Sequence, residues 1–122
     1  MQTMCRLGEI EDVVEEMDLS EIPDDVLELD DGYQLVISGW YVWIPELSIR
    51  LHEGVVGYWD EEMQGYMPDF SVTAVFPEEP TETDYIYYEQ DGIIATMANW
   101  LHGRMSIDMI GQLRCEIVIP HE

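Results

Sequence analysis

Tyr33-Gln34-Leu35-Val36-Ile37-Ser38-Gly39-Trp40-Tyr41-Val42-Trp43-Ile44 is the stretch in which the chain changes period. Ahead of it apolar residues recur at helical spacing. Within it Tyr33, Leu35 and Ile37 alternate with Gln34, Val36 and Ser38, the two-residue repeat of a strand with one face turned inward. Gly39 bends or ends that strand, and Trp40 to Ile44 reads as its neighbour. The alternation then returns. Leu47, Ile49 and Leu51 alternate with Ser48, Arg50 and His52, and Glu53-Gly54 reads as a turn toward Val55 to Trp59. Phe70, Val72, Ala74 and Phe76 alternate with Ser71, Thr73 and Val75. A meander is the simplest arrangement of these strands.

Toward the N-terminus, Ile10, Val13, Val14 and Met17 fall on one side of a helix running from Gly8 to Asp18. Pro23 opens a second, shorter helix with Val26, Leu27 and Leu29 as its apolar contacts and Asp30-Asp31-Gly32 as its stop. Toward the C-terminus, Pro77 to Asp84 holds two Pro and four acids and reads as an exposed loop, after which Tyr85 to Tyr88 resumes strand. Ile93, Ile94, Met97, Trp100 and Leu101 form the apolar face of a helix that Gly103 stops. Ser106 caps one further helical turn through Ile110, and Leu113, Cys115, Ile117 and Ile119 make a last strand before Pro120. The chain therefore reads as α+β: a single compact domain over residues 1–122, an antiparallel sheet of about five to six strands, and two principal amphipathic helices.

The 122 residues include 27 Asp or Glu against four Arg and no Lys, a formal charge of −23. With 47% apolar and 11% aromatic residues the chain still fills a core, so the charge does not signal disorder. Four scattered Arg make no basic groove, which argues against direct binding of nucleic acid or anionic lipid. No apolar run approaches the ~20 residues that span a bilayer. Met1-Gln2-Thr3-Met4-Cys5-Arg6 lacks the apolar stretch of a signal peptide, so the expected place is the cytosol. Cys5 and Cys115 are too few for a disulfide framework and are expected as thiols.

Catalytic chemistry finds little to work with. Cys5, Cys115, His52, His102 and His121 carry no nucleophile or zinc motif. Cys115 reads as a small buried hydrophobe, His102 as a partner for a helix C-terminus, and His52 and His121 as exposed. Glu28-Leu29-Asp30-Asp31-Gly32 lacks the alternating ligands of a calcium loop. A pair of carboxylates at glycosidase spacing carries no information among 27 of them. No catalytic residue, metal or cofactor is expected.

The informative feature is the carboxylates as an assembly. Glu9 to Asp31 holds 12 acids in 23 residues, and no base stands between Leu7 and Ile49. Acids four apart on a helix recur about every 6 Å, a coarser version of the phosphate line on duplex DNA. Glu11, Glu15 and Asp18 supply one row and Glu9, Asp12 and Glu16 another, with Asp24, Asp25, Glu28, Asp30 and Asp31 as an extension. Ten further acids from Asp60 to Asp91, beginning with Asp60, Glu61 and Glu62, make a second concentration. A charged helix face is ordinarily a solvated face. Small domains, however, carry net charges of magnitude about 2–8, so −23 is a self-repulsion that needs a compensating reason. Salt adaptation is one such reason, but twelve Ile and eight Met against three Ala show no shift toward small apolar residues. Coulomb attraction alone reaches about 8 Å at physiological salt, so a binding surface also needs aromatic anchors. Trp40, Tyr41, Trp43, Tyr58, Trp59, Tyr66, Tyr85, Tyr87 and Tyr88 exceed what one inner sheet face buries, so some are expected exposed beside acids as partner anchors, or else covering the sheet's second face or a homodimer contact.

The size and charge resemble those of phage-encoded antagonists of host defence, the anti-CRISPR and anti-restriction proteins, although no motif here identifies one family. The resemblance implies an inhibitor with no enzymatic activity, acting in the host cytosol. It would block the basic nucleic-acid channel of a CRISPR effector, restriction enzyme or other nuclease. An immunity protein against a nuclease toxin uses the same charge complementarity. An acidic structural subunit predicts instead a symmetric assembly through the aromatic face.

Overall fold

The alternation on the two sides of Glu53-Gly54 belongs to one twelve-residue strand, β5 (Ile49–Asp60), which runs straight through the anticipated turn. In the computed structural model, which describes residues 2–19, 21–77, 84–89 and 92–120, Gly54 pairs with Ile37 and Val72. A Cβ there would stand 2.8 Å from the Val36 carbonyl oxygen, so this glycine serves close strand packing and not a change of direction.

Along one edge β5 pairs with β6 (Gly65–Pro77) over its whole length, from Ile49 opposite Pro77 to Asp60 opposite Gly65, with a bulge after Val56. Two strands share its other edge end to end. Ile49 to Leu51 pair with β4 (Tyr41–Ile44), and Gly54 to Tyr58 pair with β3 (Tyr33–Ile37). Trp40 to Ile44 is thus not the neighbour of Tyr33 to Ile37, and the simple meander is replaced by a sheet with two arms. One arm continues from β4 to β8 (Arg114–Val118) and β1 (Gln2–Arg6). The other continues from β3 to β2 (Asp25–Glu28), while β7 (Ile86–Tyr88) extends β6. All pairings are antiparallel and the described strands number eight against the five to six expected.

Three short helices, α1 (Ile10–Glu16), α2 (Ile93–Trp100) and α3 (Ile107–Gln112), cover one face of the β4–β8 arm. Ile10, Ile93, Met97, Leu101 and Ile110 pack there on Val42, Ile44, Ile49, Leu51, Cys115 and Ile117. A second core lies on the opposite face of the β3–β6 arm, where Leu35, Ile37, Val56, Val72, Ala74 and Phe76 are closed over by Leu27, Leu29 and Tyr85. Strand β6 feeds both, Val75 to the first and its neighbours Ala74 and Phe76 to the second, which is why the whole run Val72 to Phe76 is buried.

Several sequence expectations need correction. The Pro23 helix is the edge strand β2: Leu27 turns into the second core while Val26, 54% exposed, faces outward, a period of two. Strand β1 was not anticipated. Helix α1 stops at Glu16 because Met17 is extended, so it is shorter than Gly8 to Asp18. Ser106 does cap α3, its Oγ accepting from the Met109 backbone N–H at 3.3 Å, and the helix passes through Gly111. Among the described residues no helix is long and apolar enough to cross a membrane.

Candidate functional site

Helix α1 has only two turns, and tertiary contact fixes it. Ile10 is buried, Val13 and Val14 pack against the core, and this leaves Glu11, Asp12, Glu15 and Glu16 exposed. Glu11, Asp12 and Glu15 border a groove of about 380 Å³ whose far side is the start of α2 at Gly92 and Ile93, and whose end is Glu53 of β5. Glu53 is open to solvent on one side. Desolvation by the surrounding walls, and then the like charge of Glu11, raise its pKa above the ordinary carboxylate value. Among the described residues the lining contains four carboxylates and no Arg, Lys or His.

An adjoining groove of about 470 Å³ shares Glu53 and Gly92 and runs onto the uncovered part of the helix-side face, lined by Asp24, Val36, Val55, Ser71 and Thr73. Val26, Val36 and Val55 lie opposite one another across β2, β3 and β5 and form an apolar row along it. Beyond that row Tyr66 lies over Gly57, its hydroxyl donating to the Val55 carbonyl at 2.9 Å. A Cβ on Gly57 would collide with the Met67 carbonyl and stand 2.6 Å from the tyrosine ring, so only glycine permits this overlay.

The second acidic group stands at the far end of the same arm. Because Tyr33 pairs with Tyr58, their rings edge to face at 5.9 Å, the turn carrying Asp30 and Asp31 and the hairpin carrying Asp60, Glu61 and Glu62 share one end of the sheet. Trp59 and Met63 are 52% and 68% exposed there. The anticipated juxtaposition of exposed aromatic and acidic side chains is present here, whereas Trp40 is buried in the first core, Tyr41 packs on His52 and Trp43 is half-buried.

The fourteen candidate residues fall into separate groups. Glu11, Asp12 and Glu15 line one groove with Glu53, and Asp24 lines the adjoining groove that Glu53 shares. Asp18 lies beyond the helix and leaves the row it was assigned to. Asp25 and Glu28 sit on a strand and face opposite sides, Glu28 accepting from Gln34 at 3.0 Å on the valine-row side. Some carboxylates hold the fold itself: Glu9 accepts from the Arg6 backbone N–H at 3.2 Å, and Asp60 accepts from Glu62 N–H at 2.9 Å and Met63 N–H at 3.3 Å. Glu16 is exposed outside the groove. Glu78, Glu79, Glu82, Asp91 and His121 lie outside the described residues.

His52 is not exposed. It is 3% accessible on the face opposite the helices, between Tyr41 at 5.3 Å and Phe76 at 5.1 Å, and its Nδ1 pairs with the Ser38 carbonyl at 2.7 Å. Burial is the main reason its pKa falls to about 4. Arg50 lies alongside, its guanidinium 4.4 Å from the centre of the Phe76 ring and 5.4 Å from that of Tyr41. Cys115 is buried as expected, and Cys5 lies directly opposite on β1 with sulfur atoms 3.3 Å apart. Burial first, then the Cys5 contact, raises the Cys115 pKa, the reverse of what activates a thiolate nucleophile. Among the described residues no three His, Cys, Asp or Glu side chains are grouped to hold a metal ion. No protein-family model, curated protein or solved structure matches the chain.

Proposed function

We propose that this protein is an acidic inhibitor that occupies the basic nucleic-acid-binding surface of a nuclease or defence effector, such as a CRISPR effector or restriction enzyme, by imitating phosphate charge. The observation that supports this reading is the groove that Glu11, Asp12, Glu15 and Glu53 line together, where desolvation and then the like charge of Glu11 oppose ionisation of Glu53 and no cation is among the described lining residues. Such crowding disfavours the isolated fold and favours a complex in which arginines or lysines enter. The turn acids Asp30, Asp31, Asp60, Glu61 and Glu62 offer a second contact at the other end of the same arm, so the mimic engages its partner through two patches and not one rod.

The test is capture from a host lysate at low salt on the immobilised protein, elution with duplex DNA, and assay of the eluted nuclease with and without the inhibitor. The expected result is one dominant partner released by duplex and inhibited in proportion to added protein. Captured proteins that duplex DNA does not displace, or a nuclease whose cleavage continues unchanged, refute the proposal.

A further inference from the structure

Helices α1 and α2 cover only part of the sheet face on which they lie. Among the described residues no helix lies over its continuation across β2, β3 and β5, where Val36 and Val55 are half-buried and Val26 and Trp59 are 54% and 52% exposed. Three adjacent strands span roughly 10 Å, the diameter of one α-helix with side chains. The borders of the row are acidic: Glu28 beside it on β2, Asp24 and Glu53 in the adjoining groove. A second copy of this chain would bring these carboxylates against their own kind, so charge selects a cationic occupant. Edge strand β2 itself, at four residues, offers a short template for strand addition.

Building on the inhibitor reading above, we propose that this bare face seats an amphipathic basic helix of the inhibited protein. Its apolar stripe would lie on Val26, Val36, Val55 and Trp59, and its Lys or Arg flanks would meet Asp24, Glu28 and Glu53. The uncovered sheet completes its second layer with the partner's helix, and apolar burial supplies the slow dissociation that surface charge alone does not.

Two synthetic peptides of identical Lys and Leu composition test this, one with Leu at helical i, i+3, i+4 and i+7 spacing and one scrambled so that no stripe forms. Binding is measured by calorimetry at low and physiological salt on the native chain and on the Val26→Thr/Trp59→Thr variant, with far-ultraviolet circular dichroism to show that the fold is kept. The expected result is at least tenfold tighter binding of the striped peptide, a gap that closes in the double variant. Glu11→Gln/Glu15→Gln should weaken both peptides alike and leave the gap. Equal affinity for the two peptides, or a gap that survives the double variant, overturns this inference while leaving charge-driven inhibition standing. If neither peptide binds even at low salt, the inhibitor reading falls with it. Should the double variant misfold, methyl and indole NMR of the native chain decides: shifts confined to α1 and absent from Val26, Val55 and Trp59 overturn the inference.

Discussion

His52→Asn should make the acid side of the stability profile shallower, because the imidazole is held neutral by where it sits. Nδ1 pairs with the Ser38 carbonyl and therefore carries the proton, while Nε2 is buried and meets no partner among the described residues. Protonating Nε2 would place a cation beside Arg50, with Asp25 as the compensating charge, inside a stack formed by Tyr41 and Phe76. The folded pKa of about 4 stands below the unfolded value of 6.5. The unfolded chain therefore binds more protons between these values, so the contribution is fully present above pH 6.5 and is lost as pH falls through the window toward 4. At about 1.4 kcal/mol per pH unit of difference the full loss is roughly 3 kcal/mol, of which about 2 kcal/mol has gone by pH 5. Asn places an amide N–H near the position of Nδ1–H, keeps a donor for Ser38 and does not titrate. The variant loses ring packing and is less stable at pH 7.5, and its deficit should narrow by about 2 kcal/mol at pH 5. Urea unfolding followed by tryptophan fluorescence, both proteins at the same salt, gives the two differences. A deficit that stays constant from pH 7.5 to 5 refutes the argument. Glu53 has the opposite sign, since a raised carboxyl pKa favours the folded state as pH falls, but it is common to both proteins and cancels in the comparison.

Gly57→Ala drives a Cβ into the Met67 carbonyl and the Tyr66 ring, and should cost about 1–3 kcal/mol in urea unfolding while freeing the tyrosine hydroxyl. Asp31→Gly removes a residue held at φ 61° together with one charge of a crowded turn, and should raise stability by about 1 kcal/mol, read as a higher melting temperature. Arg50→Met removes a guanidinium packed on Phe76 and Tyr41, and calorimetry should record a loss of about 1 kcal/mol or more. Raising sodium chloride from 0.01 to 0.5 M should increase the melting temperature monotonically, as screening weakens repulsion among the acids; a flat response would mean the carboxylates do not oppose folding.

Period was legible in the sequence and partnership was not. Tyr33 to Ile37 formed the strand its alternation predicts, and Ile10, Val13 and Val14 formed the helix, because burial of one face decides both locally. Glu53-Gly54 misled because glycine marks both a turn and a close approach between strands, and only the position of the Val36 carbonyl separates the two. Val26, Leu27 and Leu29 suit a helix as well as a strand, because Val26 and Leu29 are three apart and Leu27 and Leu29 two. The nearby Pro23 and the acidic stop outweighed β-branched Val26, whose partner Val36 lies across a pairing no local window contains. Glu53 was missed for the same reason: one carboxylate on a strand acquires meaning only when α1 is laid beside it. His52 sits at an alternate position of a half-polar strand, and nothing local says that the second face of that strand is also a core.

That second core explains the placement of the charge. Strands β3, β5 and β6 bury Leu35, Val56 and Ala74 on the face away from the helices, so this arm has its own apolar support and does not need a helix over Val36 and Val55. The helices are confined to the other arm, where Arg6 donates to the Gln112 carbonyl at 2.9 Å, Arg104 follows α2 and Arg114 begins β8. Arg50 turns to the opposite face. The bare surface that remains is therefore bordered by Asp24, Glu28 and Glu53, ends in Asp60, Glu61 and Glu62, and receives none of the four arginines. A chain that needed negative charge only for solubility would gain nothing from leaving valines and a tryptophan uncovered among those carboxylates, because exposed apolar area works against solubility. Charge and apolar surface left open together on one face support the proposed cationic partner over a symmetric assembly of this chain, which would set Asp24, Glu28 and Glu53 against their own kind.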